Sequence, residues 1–272
     1  MPELPEVETI RLGLQQSLVG KEITGVEVFW SGVLKNIPPG DFHLRVVGDR
    51  FQSIERRGKF LLLHLASGQT LVVHLRMTGS LTVCTSKMPR PKHTHIVLNL
   101  GKRQELHFTD QRKFGEWHLL LPPELARFPG LEKLGLEPLD SAFTVKELAQ
   151  VLAKSTRKVK DILLDQTKIA GIGNIYADEA LFMALIMPTK PANSLGRNEI
   201  VRLRAGIRRV LKASISAQGR TFSHYRSATG EKGDYQPLVH GTDSGHCPRC
   251  GRPIKKIRVG GRGTYFCPRC QR

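Results

Sequence analysis

Near one end of the chain, Cys247-Pro-Arg-Cys250 recurs after 16 residues as Cys267-Pro-Arg-Cys270. Two C-x-x-C knuckles at this separation match a four-thiolate tetrahedral zinc site, one structural Zn2+ held by Cys247, Cys250, Cys267 and Cys270. Chance reduced thiols would not repeat the same four residues. The stretch between them, Ile254–Val259, Gly260-Gly261-Arg262-Gly263 and Thr264–Phe266, reads as a β-hairpin with a glycine-rich tip carrying one arginine. Arg249, Lys255, Lys256, Arg258 and Arg269 flank it. The module is either a contact surface for DNA or RNA or a stabilising clip with solvated charge. The fifth cysteine, Cys84, reads as an ordinary strand thiol.

Charge narrows the partner. Lys plus Arg number 42 against 24 Asp plus Glu, a net charge of +18, with a pI near 10.1. A globular chain this basic most often binds nucleic acid, with ribosomal or membrane-surface association as competitors. No apolar run is long enough to span a bilayer and no secretory signal is evident, so a reducing, cytoplasmic setting is expected. The acidic start MPELPEVE argues against a mitochondrial presequence.

The 272 residues, 40% of them hydrophobic, suffice for one large domain or two ordinary ones. Apolar residues at Val7, Ile10, Leu14 and Leu18 make one face of a helix that Gly20 ends. Short β-like runs follow: Ile23–Trp30, Val46–Glu55, Phe60–Leu65, Gln69–Leu75, Ser80–Thr85, His95–Leu100, Glu105–Phe108 and Trp117–Leu121. Many short strands between turn residues predict an antiparallel sandwich or barrel, with the opening helix against it. Residues 121–140 are rich in Pro and Gly and read as a linker. Beyond Thr144 the period becomes helical, over Val145–Lys154, Lys158–Asp165, Ile175–Ala184 and Asn198–Gln218. Residues 219–246 form a long polar, Gly-rich loop. The expected division is 1–121 sandwich, 122–143 linker, 144–240 helical domain and 241–272 zinc module.

The first eight residues pack two prolines and three acids together. Pro5 suits a first helical turn, with Glu6 and Glu8 favoured by the helix dipole. That leaves Pro2 and Glu3 unexplained. With Met1 removed, Pro2 carries a secondary amine, a nucleophile towards an electrophilic carbon such as a sugar C1′. Glu3 beside it would give or take a proton.

Other candidates are weaker singly. Asn174 is a plausible N-cap where Gly171-Ile-Gly173 opens a helix, a place to hold a phosphate, to which Lys160 adds charge; a plain helical hairpin would look the same. Lys59 stands at a strand entrance, where a charged edge is the ordinary reading. Met77, Arg112 and Phe114 lie on loops and suit a wedge into a base stack. From spacing alone, Met77 and Phe114 read first as core residues.

Taken together, PELPEVET, RRGKFL at 56–61, HLRMTG at 74–79, RKFG at 112–115, DQTKIAGIGNIYADEALF at 165–182 and GRGTYFCPRCQ at 261–271 resemble the bacterial formamidopyrimidine-DNA glycosylases. The motifs occur in family order over nearly the whole chain. The resemblance implies an α+β protein: an N-terminal β-sandwich with an opening helix, a helix–two-turns–helix domain and a C-terminal zinc-finger hairpin. It implies a monomeric bifunctional glycosylase and AP lyase of base excision repair acting on damaged double-stranded DNA. Pro2 would be the Schiff-base nucleophile, Glu3 the proton shuttle and Glu6 a supporting acid. Lys59, and Arg262 from the zinc-finger tip, would hold phosphates near the lesion and assist proton transfer. His74, Lys160 and Asn174 would bind backbone phosphates. Met77 would fill the vacated space, with Arg112 facing the orphaned cytosine and Phe114 wedged beside it.

Two stretches depart from the family. Gln218-Gly219-Arg220-Thr221-Phe222 stands where Gly-Gly followed by two Ser/Thr is common, and Leu238-Val239-His240-Gly241-Thr242 where a V-Y-G-R-like run is common. These put the preferred base in question. The alternatives are an endonuclease VIII-like enzyme for oxidised pyrimidines, a non-catalytic DNA-binding paralogue and a zinc-ribbon factor for RNA or transcription. Met77, Arg112 and Phe114 resemble the purine-acting branch.

Overall fold

The computed structural model describes residues 1–220, 228, 230, 233–242 and 245–272. They fall into two compact units, Met1–Glu132 with Ala217–Asp234, and Lys133–Ser216 with Tyr235–Arg272. Much of the loop expected over 219–246, including the departure at Thr221 and Phe222, lies outside the described residues.

The first unit opens with α1, Leu4–Leu18. It starts at Leu4, one residue before Pro5, which is preset for a first turn, and the Glu6 carboxylate accepts the Glu3 N–H. Its Leu4, Val7, Ile10, Leu14 and Leu18 are buried, and the chain turns away through Gly20 at φ +81°. Then come β1 Gly25–Val28, α2 Pro39–Val46, β2 Phe51–Arg57, β3 Phe60–Leu65, β4 Thr70–His74, β5 Gly79–Thr85, β6 Thr94–Asn99, β7 Gln104–Asp110 and β8 Glu116–Leu120. They form two four-stranded sheets, in the orders β1-β6-β7-β5 and β2-β3-β4-β8, with antiparallel pairing throughout. Ile54, Leu63 and Val73 from one sheet meet Leu81, Leu98 and Phe108 from the other, with Ile10 and Leu14 of α1, in one core. This is the expected sandwich.

One strand is corrected. Val46 is not the start of a strand but the last residue of α2; β2 begins at Phe51. Pro39 and Asp41 suit a helix start, and Phe42 and Val46 bury one i, i+4 face. Within the Pro/Gly-rich stretch, α3 Pro122–Ala126 and α4 Pro129–Glu132 are short helices. Leu125, Phe128 and Leu131 from this stretch pack on Leu62, Val72 and Leu120 of the second sheet.

The second unit contains α5 Val145–Ala153, α6 Val159–Leu164, α7 Asn174–Ala184, α8 Arg197–Ser216, β9 Lys255–Val259 and β10 Arg262–Phe266. Thr144 caps α5 by accepting the Glu147 N–H at 3.1 Å. Helix α7 is buried along nearly its whole length. Gly206 of α8 lets the two helices approach, since a Cβ there would lie 3.0 Å from the Ala180 carbonyl oxygen. Phe182 of α7 packs on Val239, Ile254, Tyr265, Cys247 and Cys267, so the cysteine module seats on this helix.

Candidate catalytic terminus, basic loops and metal centre

In the first unit the chain terminus is held from several sides. Glu6, buried, takes the Glu3 N–H on Oε2 at 2.9 Å and the Arg220 N–H on Oε1 at 3.0 Å. Glu8 has a different task. Arg11 and Arg56 bind its carboxylate at 2.8 Å and, against burial, hold it below the usual range. Glu3 and Pro2 are buried, and Met1 lies half exposed over them. Burial lowers the Met1 amino group below its usual value; Glu3 and Glu6 oppose this, and Lys59 and Arg112 add to it. Glu3, Glu6 and Lys59, expected to serve the reaction, and Arg112, expected to face the orphaned cytosine, are therefore electrostatic neighbours of the terminal amine. Because the chain carries Met1, the Pro2 nitrogen is here an amide without nucleophilic character.

Lys59 and His74 meet at the β3–β4 end of the second sheet. The His74 Nδ1 accepts the Arg76 N–H at 3.0 Å, and its ring lies edge-on to Phe60 at 4.6 Å. Burial, then Arg76 and Lys59, lowers its pKa to about 3. His74 is thus a neutral imidazole carrying its proton on Nε2, a donor rather than a charge.

The Met77 and Phe114 loops are built by Asp110, which sequence reasoning missed. Asp110 is 1% exposed. Its Oδ2 accepts the N–H of Phe114 at 2.8 Å and of Gly115 at 2.7 Å, and its Oδ1 accepts that of Arg112 at 3.2 Å. The Thr78 hydroxyl also bonds to Oδ1, while Thr78 Oγ1 accepts the Arg112 N–H at 3.1 Å. One carboxylate thereby fixes both loops. The signal was present as an Asp ahead of a turn, whose side chain substitutes for backbone acceptors. Gly115 is required because a Cβ would lie 2.4 Å from the Phe108 ring. Met77 is 40% and Phe114 50% exposed, so the core reading of both is corrected. The Arg112 guanidinium stands 4.7 Å from the Phe114 ring centre. Met1, Met77, Lys113 and Phe114 line a cleft of about 430 Å3 with Lys35, Arg76 and Glu116.

In the second unit the turns between α6 and α7 are organised by Gln166. Its amide donates to the Leu164 and Ile172 carbonyls at 3.1 and 2.8 Å and accepts the Gly171 N–H at 2.9 Å. Gly171 has φ +84°, which explains the glycine. Two expectations are corrected here. Asn174 is the first residue of α7 and Gly173 the cap; the Asn174 amide donates to the Gly263 carbonyl at 2.9 Å. Lys160 is not available to a phosphate, because it is 0% exposed. Its Nζ lies 2.6 Å from Asp178 Oδ1 and donates to Thr264 Oγ1 at 2.7 Å and Gly263 O at 3.3 Å. Asp178 Oδ2 also meets His240 Nδ1 at 2.7 Å and the Tyr265 N–H at 3.1 Å. Lys160, Asn174 and Asp178 therefore set the hairpin that carries Arg262. Gly260 and Gly261, at φ +53° and +76°, make its two-residue turn, and Arg262 is exposed beside it.

The four cysteines fit one zinc ion. Their Sγ atoms lie within 4.8 Å of one another, with Cys250–Cys267 at 3.5 Å and Cys247–Cys270 at 3.9 Å. A tetrahedron with Zn–S of about 2.3 Å has edges of about 3.8 Å, whereas a disulfide needs about 2.05 Å. The site is structural: four protein ligands leave no position for substrate.

The profile of the Formamidopyrimidine-DNA glycosylase N-terminal domain matches residues 1–117, that of the Formamidopyrimidine-DNA glycosylase H2TH domain residues 134–226, and that of the zinc finger found in FPG and IleRS residues 246–272. The Formamidopyrimidine-DNA glycosylase of Desulfitobacterium hafniense (strain DSM 10664 / DCB-2) is 46% identical over 273 residues, covering 100% of both chains. That of Symbiobacterium thermophilum is 48% identical, covering 100% of this chain and 89% of its own. Among solved structures, wild-type Lactococcus lactis Fpg (MutM) with a DNA containing N7-benzyl-Fapy-dG aligns at a TM-score of 0.92 and 38% identity, over 100% of both chains. The same organism's Fpg with abasic-site DNA gives 0.91 and 37%, over 99% of both. Sandwich, two-turn helical unit and four-cysteine hairpin together define a DNA glycosylase of base excision repair. The chain belongs to the formamidopyrimidine-DNA glycosylase family.

Proposed function

We propose that this chain removes oxidised purines, 8-oxoguanine and formamidopyrimidines, from damaged double-stranded DNA and then cuts the strand as an AP lyase. The observation that carries the reading is the ordered terminus: buried Glu6 holds the Glu3 N–H at 2.9 Å and the Arg220 N–H at 3.0 Å, beside a terminal amine whose pKa burial lowers and on which Glu3, Glu6, Lys59 and Arg112 act as charged neighbours. Once Met1 is lost, the same surroundings act on the Pro2 amine and keep its lone pair free. That lone pair bonds to C1′ as the C1′–base bond breaks, and the proton that the Pro2 nitrogen then sheds passes to the leaving base. Glu3 protonates the ring oxygen as the C1′–O4′ bond opens, giving an iminium. The iminium acidifies C2′–H, so β-elimination breaks the strand, and δ-elimination follows.

Binding draws on the rest of the chain. A net charge of +18 supports phosphate binding through counterion release. Lys59 and the Nε2–H of His74 in the first unit, and Arg262 and the start of α7 at Asn174 in the second, each offer donors to DNA phosphates. Met77, Arg112 and Phe114 fill the space of the extruded nucleotide. The functional division follows 1–121, 122–143, 144–240 and 241–272, and the enzyme works as a cytoplasmic monomer. No helix among the described residues is long and apolar enough to cross a membrane.

The test is borohydride trapping on an 8-oxoguanine:cytosine duplex with protein whose N-terminus has been defined by mass. Chain starting at Pro2 forms a covalent adduct; chain retaining Met1 does not. Absence of an adduct from the Pro2 form overturns the mechanism. Faster release of thymine glycol opposite adenine than of 8-oxoguanine opposite cytosine overturns the purine assignment.

A further inference from the structure

The sheet β1-β6-β7-β5 has an outer face that the glycosylase reaction does not use. In its register Cys84 of β5 faces Glu105 of β7, and Thr82 faces His107. Cross-strand partners share a face, and neighbours along a strand alternate. Leu81, Val83, Leu106 and Phe108 join the core, so Cys84, Glu105 and His107 point the other way. Even so, Glu105 is 6% and His107 1% exposed, and Cys84 is partly buried. One ligating atom from each lies within 4.8 Å of the others, and His107 Nε2 stands 2.6 Å from Glu105 Oε2.

We propose that Cys84, Glu105 and His107 form a second metal site, for a borderline divalent transition cation of the zinc class. All three are donor types that zinc takes, and three protein ligands leave a fourth position for water. The thiolate and imidazole discriminate against magnesium and calcium, which prefer all-oxygen sets. The geometry is close to what an ion needs. Bonds of about 2.0–2.3 Å at tetrahedral angles put ligand atoms about 3.3–3.8 Å apart. The Glu105–His107 contact at 2.6 Å therefore opens slightly, and Cys84, within 4.8 Å of both, needs to close by no more than about 1–1.5 Å.

Two simpler readings compete. Glu105 and His107 satisfy each other as an ordinary buried pair, which gives Cys84 no part. A lone redox-sensing thiol is the other, and it gives the buried Glu105–His107 pair within 4.8 Å of Cys84 no part. The same strand β7 ends at Asp110, three positions beyond His107. An ion bridging β5 and β7 thus braces the two strands next to the Met77 and Phe114 loops.

The experiment titrates Zn2+ into the full chain with the four-cysteine centre already filled, under a non-chelating reductant, and counts bound metal by native mass spectrometry. The parent takes up a second equivalent. Cys84→Ala and His107→Gln stop at one. Bound zinc also slows alkylation of Cys84 by iodoacetamide, read on its peptide. A parent that stops at one equivalent overturns the proposal, as does a Cys84→Ala variant that takes the second equivalent as readily as the parent. If His107→Gln also loses the zinc of the four-cysteine centre, it has unfolded, and Cys84→Ala with alkylation protection decides the matter.

Discussion

Glu6 joins two distant parts of the first unit: its Oε1 accepts the Arg220 N–H at 3.0 Å while its Oε2 accepts the Glu3 N–H at 2.9 Å. The acid therefore sets the pitch of the first helical turn, and with it the direction in which the Pro2 nitrogen points. Glu6→Ala leaves two donors without their acceptor, at a cost of about 1–3 kcal/mol for a buried group. The expected outcome is a lower melting temperature and slower single-turnover base excision, with lesion-duplex affinity changed less. A variant as fast and as stable as the parent removes Glu6 from this role.

Asp110 acts on the loops in the same way. Its carboxylate takes the N–H groups of Arg112, Phe114 and Gly115 and bonds to the Thr78 hydroxyl. Asp110→Asn keeps the shape but turns one acceptor into a donor that faces N–H groups. Hydrogen bonds to a charged group contribute about 1.5–3 kcal/mol each, so loop order is lost before the sandwich is. Weaker binding of lesion duplex with a nearly unchanged far-ultraviolet spectrum is expected. Unchanged affinity would show that the loops hold their shape without this carboxylate.

His74 makes stability depend on pH. Its folded pKa is lowered from 6.5 to about 3, so between these values the unfolded chain binds a proton that the folded chain does not. Stability is then full above pH 6.5 and falls as pH drops towards 3, by about 1.4 kcal/mol per unit for one proton. Urea unfolding at a series of pH values checks this. His74→Gln flattens the slope by about one proton over that window; an equal slope in both proteins assigns the acid sensitivity elsewhere.

Cysteine spacing carries the next prediction. Cys250 lies 3.5 Å from Cys267 in a module packed on Phe182. Cys250→Ala removes one of four ligands, and metal binding in such a module is coupled to its folding. Loss of zinc by metal analysis and loss of DNA affinity are expected together. A variant that keeps both would refute the ligand set.

What the sequence revealed and what it concealed follow a physical line. The cysteine knuckles, the glycine turn before Arg262 and most of the alternating strands are local patterns that appear where their spacing places them; the strand expected from Val46 begins only at Phe51. Helix α2 was hidden because its eight residues bury only Phe42 and Val46, too short a run to show a helical period. Asp110 was hidden because its partner Thr78 stands 32 positions away, and only the β5–β7 pairing brings them together. The exposure of Met77 and Phe114 likewise follows from that scaffold rather than from their own spacing.

Lys160 is the sharpest case, because a lysine before a phosphate-like turn invites a DNA contact. It instead bonds to Asp178 and Thr264, and the latter is 104 positions away. Both charges are fully buried. Removing one partner strands the other, at a cost of about 3–5 kcal/mol. Lys160→Met therefore lowers the melting temperature and frees the Arg262 hairpin, so weaker DNA binding follows from lost order. A phosphate contact would behave differently: affinity would fall with stability intact, and the salt dependence of binding would lose about one charge. Measuring unfolding and the salt slope on the same variant separates the two. Unchanged stability with a shallower slope would restore the phosphate role and overturn the buried-pair account.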